Sequence, residues 1–286
     1  MADSQFGGGN WKASSTASCL REYATPLLRG SYTEETGRDL FRVTAELSRQ
    51  VGWSAFDAGQ HGAAQRHFIQ ALRLARAAGD VQVGAYVLTT MSLATFLQGY
   101  PSEAVDMAEG AYERAKHLPG ATKVLSFAKL AQARAHARAG ESKEASTALV
   151  LSENLLGHAR PGTDPAWMNY YTHERLATDA TEIHRDLGRP NDAIKWSRQA
   201  DEMPTDRYTR AVGIRLAVEA SAYLQKHDLD KGLATGRRSV GLLSQVRSAR
   251  AHSYIHTLTA TLASQREDKR VTAFIAHSRQ CLPTAS

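Results

Sequence analysis

The sequence predicts an all-α fold assembled from a helical repeat, and three observations carry that prediction. Alanine-rich segments with apolar residues at i, i+3, i+4 and i+7 follow one another almost to the end of the 286 residues. Proline is scarce, at 8 residues, and β-branched runs are too short to build strands. Small residues also recur in a fixed order, beginning with Gly52, Ala55, Gly59, Ala64, Phe68 and Ala71. The order returns as Ser92, Thr95, Gly99, Ala104, Ala108 and Ala111, and again as Ala133, His136, Gly140, Ala145, Leu149 and Ser152. A fourth copy has Thr181, His184, Gly188, Ala193, Ser197 and Ala200, and a weaker fifth has Ala220, Tyr223, His227, Gly232, Gly236 and Ser239. Successive turn positions lie 40, 41, 48 and 39 residues apart.

Taken in order, residues 1–12 contain the run Gly7-Gly8-Gly9 and are expected to be a flexible segment. Residues 13–40 are expected to hold an N-terminal helix, near 14–29 with Pro26 late in it, and a linker. Thr33 followed by Glu34 and Glu35 marks a helix start, because the hydroxyl caps free N–H groups and the carboxylates suit the positive end of the helix dipole. The repeats occupy 41–247. The long 48-residue spacing is explained by the insertion GHARPGTDPAWMNYY, where Pro161, Gly162 and Pro165 signal a loop. Residues 248–286, with SARAHSYIHTLTATLAS and KRVTAFIAHSRQCL, read as a capping helix pair.

The five-fold pattern resembles the tetratricopeptide repeat (TPR), in which small residues let two antiparallel helices approach closely and larger apolar ones fill the space between repeats. That resemblance implies a right-handed superhelical solenoid of about five to six TPR-like helix pairs. Two phrases go further, REYATPLLRGSYTEETGRDLFRVTAELSRQVGWSAFDAGQHGAAQRHFIQALRLARAAGD and DLGRPNDAIKWSRQA. They resemble the sensor region of actinobacterial transcriptional regulators that join a helix-turn-helix domain to TPR repeats, a likeness that covers roughly residues 20 to 280. It implies a signal-binding groove, a peptide or small-molecule ligand, and a homodimer as a further candidate partner. The stretch before the first long helix is too short and too Gly- and Ser-rich for a helix-turn-helix domain. DNA contact is therefore expected only through such a domain outside this sequence, one truncated or lost.

Composition narrows the class. With 42% hydrophobic residues the chain can bury a sizeable core. No 18-residue stretch is free of polar interruption, so no membrane span is expected. The start lacks the basic and apolar regions of an export signal, and Cys19 and Cys281 stand far apart, which together predict reduced thiols in a cytoplasmic protein. The net charge of +6 is unevenly placed: residues 205–286 hold 13 Lys/Arg against 6 Asp/Glu, whereas residues 1–204 hold 22 against 23. No aromatic-interleaved basic run or reading helix accompanies the excess, so solvation or non-specific contact is the expected use.

Phosphate-cradling loops, the full zincin motif and a nucleophile elbow are all absent from the sequence. The TPR register instead places Arg49, Trp53, Phe56, Tyr86, Leu93, Phe96, Arg134, Arg138, Arg175, Glu182 and Arg185 on the inner face formed by the first helix of each pair. Aromatic rings beside guanidinium groups suit a ligand with an apolar part and a carboxylate or phosphate, and ordinary packing with a solvated arginine face is the competing account. Trp167, Tyr170, Tyr171 and His173 follow the inserted loop and would either close over that face or pack the loop down. A second functional reading is a regulator-derived enzyme with a pocket near 157–172, using His173, Glu182 and His184 as acid and base. Finally, His252 and His256, with His277 and Cys281, are two i, i+4 pairs on consecutive helices. An antiparallel hairpin would bring these four together as a zinc-type ligand set, with polar packing of a terminal cap as the plainer alternative.

Overall fold

The computed structural model describes residues 11–265 and 267–282. The flexible segment expected at 1–12 lies outside this range for its first ten residues, and Trp11–Ala13 form a 3₁₀ turn. A broken helix follows, α-helical over Ser15–Cys19, π-helical over Leu20–Ala24 and α-helical again over Thr25–Leu27. Pro26 has no N–H to donate and its ring crowds the preceding turn, a conflict that the wider π turn relieves. Thr25 Oγ1 donates to Leu20 O at 2.6 Å across that turn.

All remaining regular elements among the described residues are helical. They run α1 (Glu34–Asp57), α2 (His61–Ala78), α3 (Val81–Leu97), α4 (Pro101–Ala115), α5 (Thr122–Ala139) and α6 (Ser142–Gly157). After a loop come α7 (His173–Asp186), α8 (Pro190–Gln199), α9 (Thr205–Gln225), α10 (Leu229–Leu243), α11 (Ala249–Thr261) and α12 (Lys269–Cys281). Thr33 caps the start of α1, its Oγ1 accepting from the Thr36 N–H at 3.2 Å. Consecutive helices pack as pairs, and within the pairs the same two devices recur.

The first device is the turn. All five turn positions read from the sequence adopt a left-handed backbone, with φ of 78° at Gly59, 93° at Gly99, 81° at Gly140, 65° at Gly188 and 58° at His227. In each case the next residue donates its N–H to the carbonyl five positions earlier. These bonds are Gln60 to Ala55 (2.8 Å), Tyr100 to Thr95 (3.2 Å), Glu141 to His136 (2.9 Å), Arg189 to His184 (2.8 Å) and Asp228 to Tyr223 (3.0 Å). This bond satisfies a carbonyl that the end of the helix leaves free and reverses the chain within three residues.

The second device is a seam of small residues. A Cβ on Gly52 would stand 2.8 Å from the Phe68 ring and 3.2 Å from Ala64 O, so only glycine lets α1 and α2 meet there. One repeat later the equivalent Ser92 donates its Oγ to Ala104 O at 2.7 Å. In the fifth copy a Cβ on Gly232 would stand 2.6 Å from the Leu224 side chain and 3.4 Å from Ala220 O. At the far end of the seam Ser126 Oγ donates to Ser152 O and Ser152 Oγ to Ser126 O, both at 2.7 Å. Ser239 Oγ makes the matching bond to Gly213 O at 2.6 Å.

The described residues divide into two compact units, one of 11–56 and 60–172, the other of 57–59 and 173–282. In the first unit the first helices of successive pairs also touch, α3 against α5. Its inserted loop is anchored rather than free. Met168 and Tyr171 are fully buried, and Asp164 Oδ1 accepts the Lys123 N–H at 2.6 Å, capping the first turn of α5. Ser126 and Ser152 each spend their hydroxyl proton on a carbonyl, so the Tyr171 hydroxyl, 3.1 and 3.3 Å from their oxygens, is the donor to them. In the second unit α7 contacts α9 and α9 contacts α11, over a core that includes Leu233, Leu243, Ile255, Leu258 and Phe274.

The turn geometry yields an expectation for stability. His227 alone among the five turn residues carries a Cβ in the left-handed region, which costs an L-residue roughly 1–2 kcal/mol. His227→Gly should therefore raise the unfolding free energy measured in urea, by up to about 1 kcal/mol after the entropy of glycine in the unfolded chain is subtracted. Gly140→Ala should lower it by a similar amount.

Candidate functional site

In the first unit, α3 carries two arginine-on-ring contacts. The Arg49 guanidinium of α1 lies 4.2 Å from the centre of the Tyr86 ring, and that ring also stacks with Trp167 of the inserted loop at 4.7 Å. The hydroxyls of Tyr86 and Tyr170 are hydrogen-bonded at 2.9 Å. Phe127 of α5 completes the cluster, edge-on to Tyr171 at 5.2 Å. Ten residues along α3, about 15 Å by helix rise, Arg134 and Arg138 of α5 lie over Phe96 at 4.6 and 5.5 Å. Each contact sets a cation over the negative face of a ring, and for Arg49 and Arg134, which are partly or wholly buried, the attraction exceeds its value in water. Phe96 and Phe56 are themselves core residues, and Trp53 packs on Phe56 at 5.4 Å. The aromatic rings reaching the surface beside the arginines are thus Trp167 and Tyr170, together with part of Trp53.

The second unit presents a different surface, an ionic network on the first helices of its pairs. Arg175, Asp179, Glu182 and Arg185 follow the i, i+4, i+7, i+10 spacing that lines one face of α7. Arg175 Nε stands 3.3 Å from Asp179 Oδ2. Arg185 reaches Glu182 at 3.3 Å and Asp186 at 2.6 Å. Tyr254 of α11 donates its hydroxyl to both oxygens of the buried Glu182, at 2.9 and 3.0 Å. One turn earlier on α11, Arg250 donates to Asp57 Oδ1 at 3.0 Å, and Arg210 of α9 donates to Asp57 Oδ2 at 2.9 Å. Asp57 is completely shut off from solvent, and these two arginines offset its charge.

No protein-family model matches the chain, and no curated protein matches it. The chemistry therefore rests on the geometry alone.

That geometry does not assemble the acid–base trio. His173 starts α7 and is exposed, Glu182 lies nine residues on, about 13 Å along the axis, and His184 is rotated about 200° from Glu182 around the helix. Glu182 is engaged by Tyr254 and Arg185, while the His184 ring stacks on Trp196 at 6.3 Å. The loop at 157–172, expected on the enzyme reading to border a pocket, instead buries Met168 and Tyr171 beneath itself. The zinc-type set is corrected in the same way. His252 Nε2 faces Val246 O at 2.9 Å, His256 is exposed, and His277 meets only Cys281 within the set, at 3.7 Å. The buried faces of α11 and α12, both of which pack against α10, carry Ile255, Leu258, Val271 and Phe274. Among the described residues no three His, Cys, Asp or Glu side chains are placed to hold a metal ion. No helix among them is long and apolar enough to cross a membrane.

His136 and His184 share a repeat position but differ in partner. His136 Nδ1 pairs with Glu141 at 2.5 Å, whereas His184 is 3.9 Å from Asp192. Burial holds His184 below the usual histidine range, with Arg189 adding to the effect and Asp192 opposing it. Burial likewise lowers His67, with Arg66 contributing. The register missed Asp57, Arg210, Arg250 and Tyr254. Their partners are up to 193 residues away, and no local pattern marks such a pairing.

Two outcomes follow. Asp57→Ala removes the carboxylate shared by the buried Arg210 and the part-buried Arg250 and should cost about 3–5 kcal/mol in denaturant unfolding, whereas Asp39→Ala, in an exposed pair with Arg42, should leave the unfolding midpoint nearly unchanged. For His67 and His184, a lowered folded-state pKa means the unfolded chain takes up protons first. Stability from these rings is intact above about pH 6.5 and falls as pH drops toward their folded values. Unfolding midpoints measured between pH 5 and 8 should show that loss, and the double variant His67→Gln/His184→Gln should flatten it.

Proposed function

We propose that this chain is a non-catalytic TPR-type sensing module, of the kind joined to helix-turn-helix domains in actinobacterial transcriptional regulators. It takes a peptide or a small anionic ligand on the faces built by the first helices of its pairs. On this reading the pairs are TPR-like members of a right-handed superhelical solenoid, the protein works in the cytoplasm, and any DNA contact is made by another domain.

The observation that carries the reading is the pair of guanidinium-on-ring contacts on α3. Arginines supported on rings are held in place with little entropy left to lose, ready for a carboxylate or phosphate. Their separation of about 15 Å matches four to five residues of extended peptide at roughly 3.3 Å each. The repeated turn and seam support the architectural half of the proposal, because they give every pair the same internal register.

Arg138 is exposed, so removing it should leave the fold intact. With the protein immobilised and a random-sequence octapeptide pool passed over it, Arg138→Ala should retain several-fold less peptide than the parent. Its thermal midpoint should stay within about 2 °C. Equal retention by both proteins would remove the arginine face from the binding surface.

A further inference from the structure

We infer that Arg49, with Tyr86, Trp167 and Tyr170, forms a receptor for one carboxylate attached to a flat apolar group. The inference rests on the ligand-sensing reading above and names the chemistry of one end of that site.

Three observations point the same way. Among the described residues Arg49 has no hydrogen-bond or ion-pair partner, and its Nε is closed off from solvent. A guanidinium offers five donors in a rigid fork, and a shielded donor without an acceptor is costly unless a ligand supplies one. Stacking on Tyr86 at 4.2 Å fixes the plane of that fork. The only carboxylate on the same helix face nearby, Glu46, is one turn away and makes no hydrogen bond to it. Burial, with Asp80 contributing, raises the pKa of Glu46 against the pull of Arg49 and Arg42.

The surroundings select the ligand. A single guanidinium carries one positive charge, which matches a monoanion better than a dianionic phosphate. A planar fork matches a planar carboxylate through two parallel bonds. The Tyr86 ring that carries the fork also stacks on the partly exposed Trp167 at 4.7 Å and is tied to the exposed Tyr170 through their hydroxyls at 2.9 Å. These rings offer a surface on which an aromatic or similarly flat group stacks. The carboxylate could come from a peptide C-terminus or from a free small acid.

The test is isothermal titration of the full chain with N-acetylphenylalanine, its amide, and a phenylalanine-terminated hexapeptide as free acid and as amide. Each acid should bind about tenfold or more tightly than its amide. Arg49→Met, which keeps an apolar stem on the Tyr86 ring, should abolish that preference, and Arg49→Lys should keep only part of it. A hexapeptide acid that binds about tenfold better than N-acetylphenylalanine identifies a peptide terminus as the source; equal affinities identify a small acid. The inference fails if acid and amide bind alike, if neither acid binds, or if Arg49→Met retains the preference. Should that happen while the octapeptide pool is still retained through Arg138, the sensing reading survives and only the carboxylate receptor is lost.

Discussion

The helix pairs depend on two backbones coming close together, and in several of them a side-chain hydroxyl of one helix reaches a main-chain carbonyl of the other. Ser92 with Ala104, Ser126 with Ser152 and Ser239 with Gly213 all make such bonds. Elsewhere the same approach is made by glycine and alanine, whose small side chains let dispersion act over the whole seam. A larger residue at Gly52 would push Phe68 out of its place and change the angle at which α2 leaves. The angle between helices decides where the first helix of the next pair lies, and with it which side chains share a face. The arginine-on-ring contacts of α3 therefore follow from residues that touch no ring.

Charge is distributed more economically than the composition suggests. The basic excess belongs to residues 205–286, yet several of those cations are already matched. Arg210 and Arg250 share Asp57, Arg215 meets Asp201 at 2.9 Å, and Arg270 is paired with both Asp230 and Asp268. The aspartate at 268 is held down to a pKa of about 2 by that arginine, first through the side-chain hydrogen bond. What stays unmatched at the surface is a smaller set including Arg237, Arg238 and Arg247. Buried ion pairs such as that of Asp57 add little net stability compared with apolar packing, but they penalise any arrangement that separates the partners.

The fold was legible where chemistry is local. A left-handed turn needs a residue without steric conflict, so Gly59, Gly99, Gly140 and Gly188 announced themselves, and His227 was found only because the spacing demanded a turn there. The seam was legible for the same reason, since alanine, glycine and serine at fixed intervals have few other uses. Of the residues the register placed on the inner face, Arg49 lies over Tyr86 and Arg134 over Phe96. The period of His252, His256, His277 and Cys281 fits the outside of a hairpin as well as its inside and could not choose between them, whereas Ile255 and Phe274 lie in the buried core. Pairings such as Arg250 with Asp57 carry no periodic trace at all, because they depend on the accumulated geometry of many turns.

Tyr171 illustrates a wider consequence. Its hydroxyl enters a seam between α5 and α6 that Ser126 and Ser152 already hold shut, so the loop is fastened at a point where the helices need nothing from it. Four residues upstream, Trp167 touches Tyr86 from a stretch that carries no helix of the repeat. An anchor buried in the scaffold next to a contact surface outside it separates two kinds of mutation. Changes at Trp167 and Tyr170 can redraw what the surface accepts while Asp164, Met168 and Tyr171 keep the loop anchored, which makes these two positions places where new preferences arise at little risk to folding.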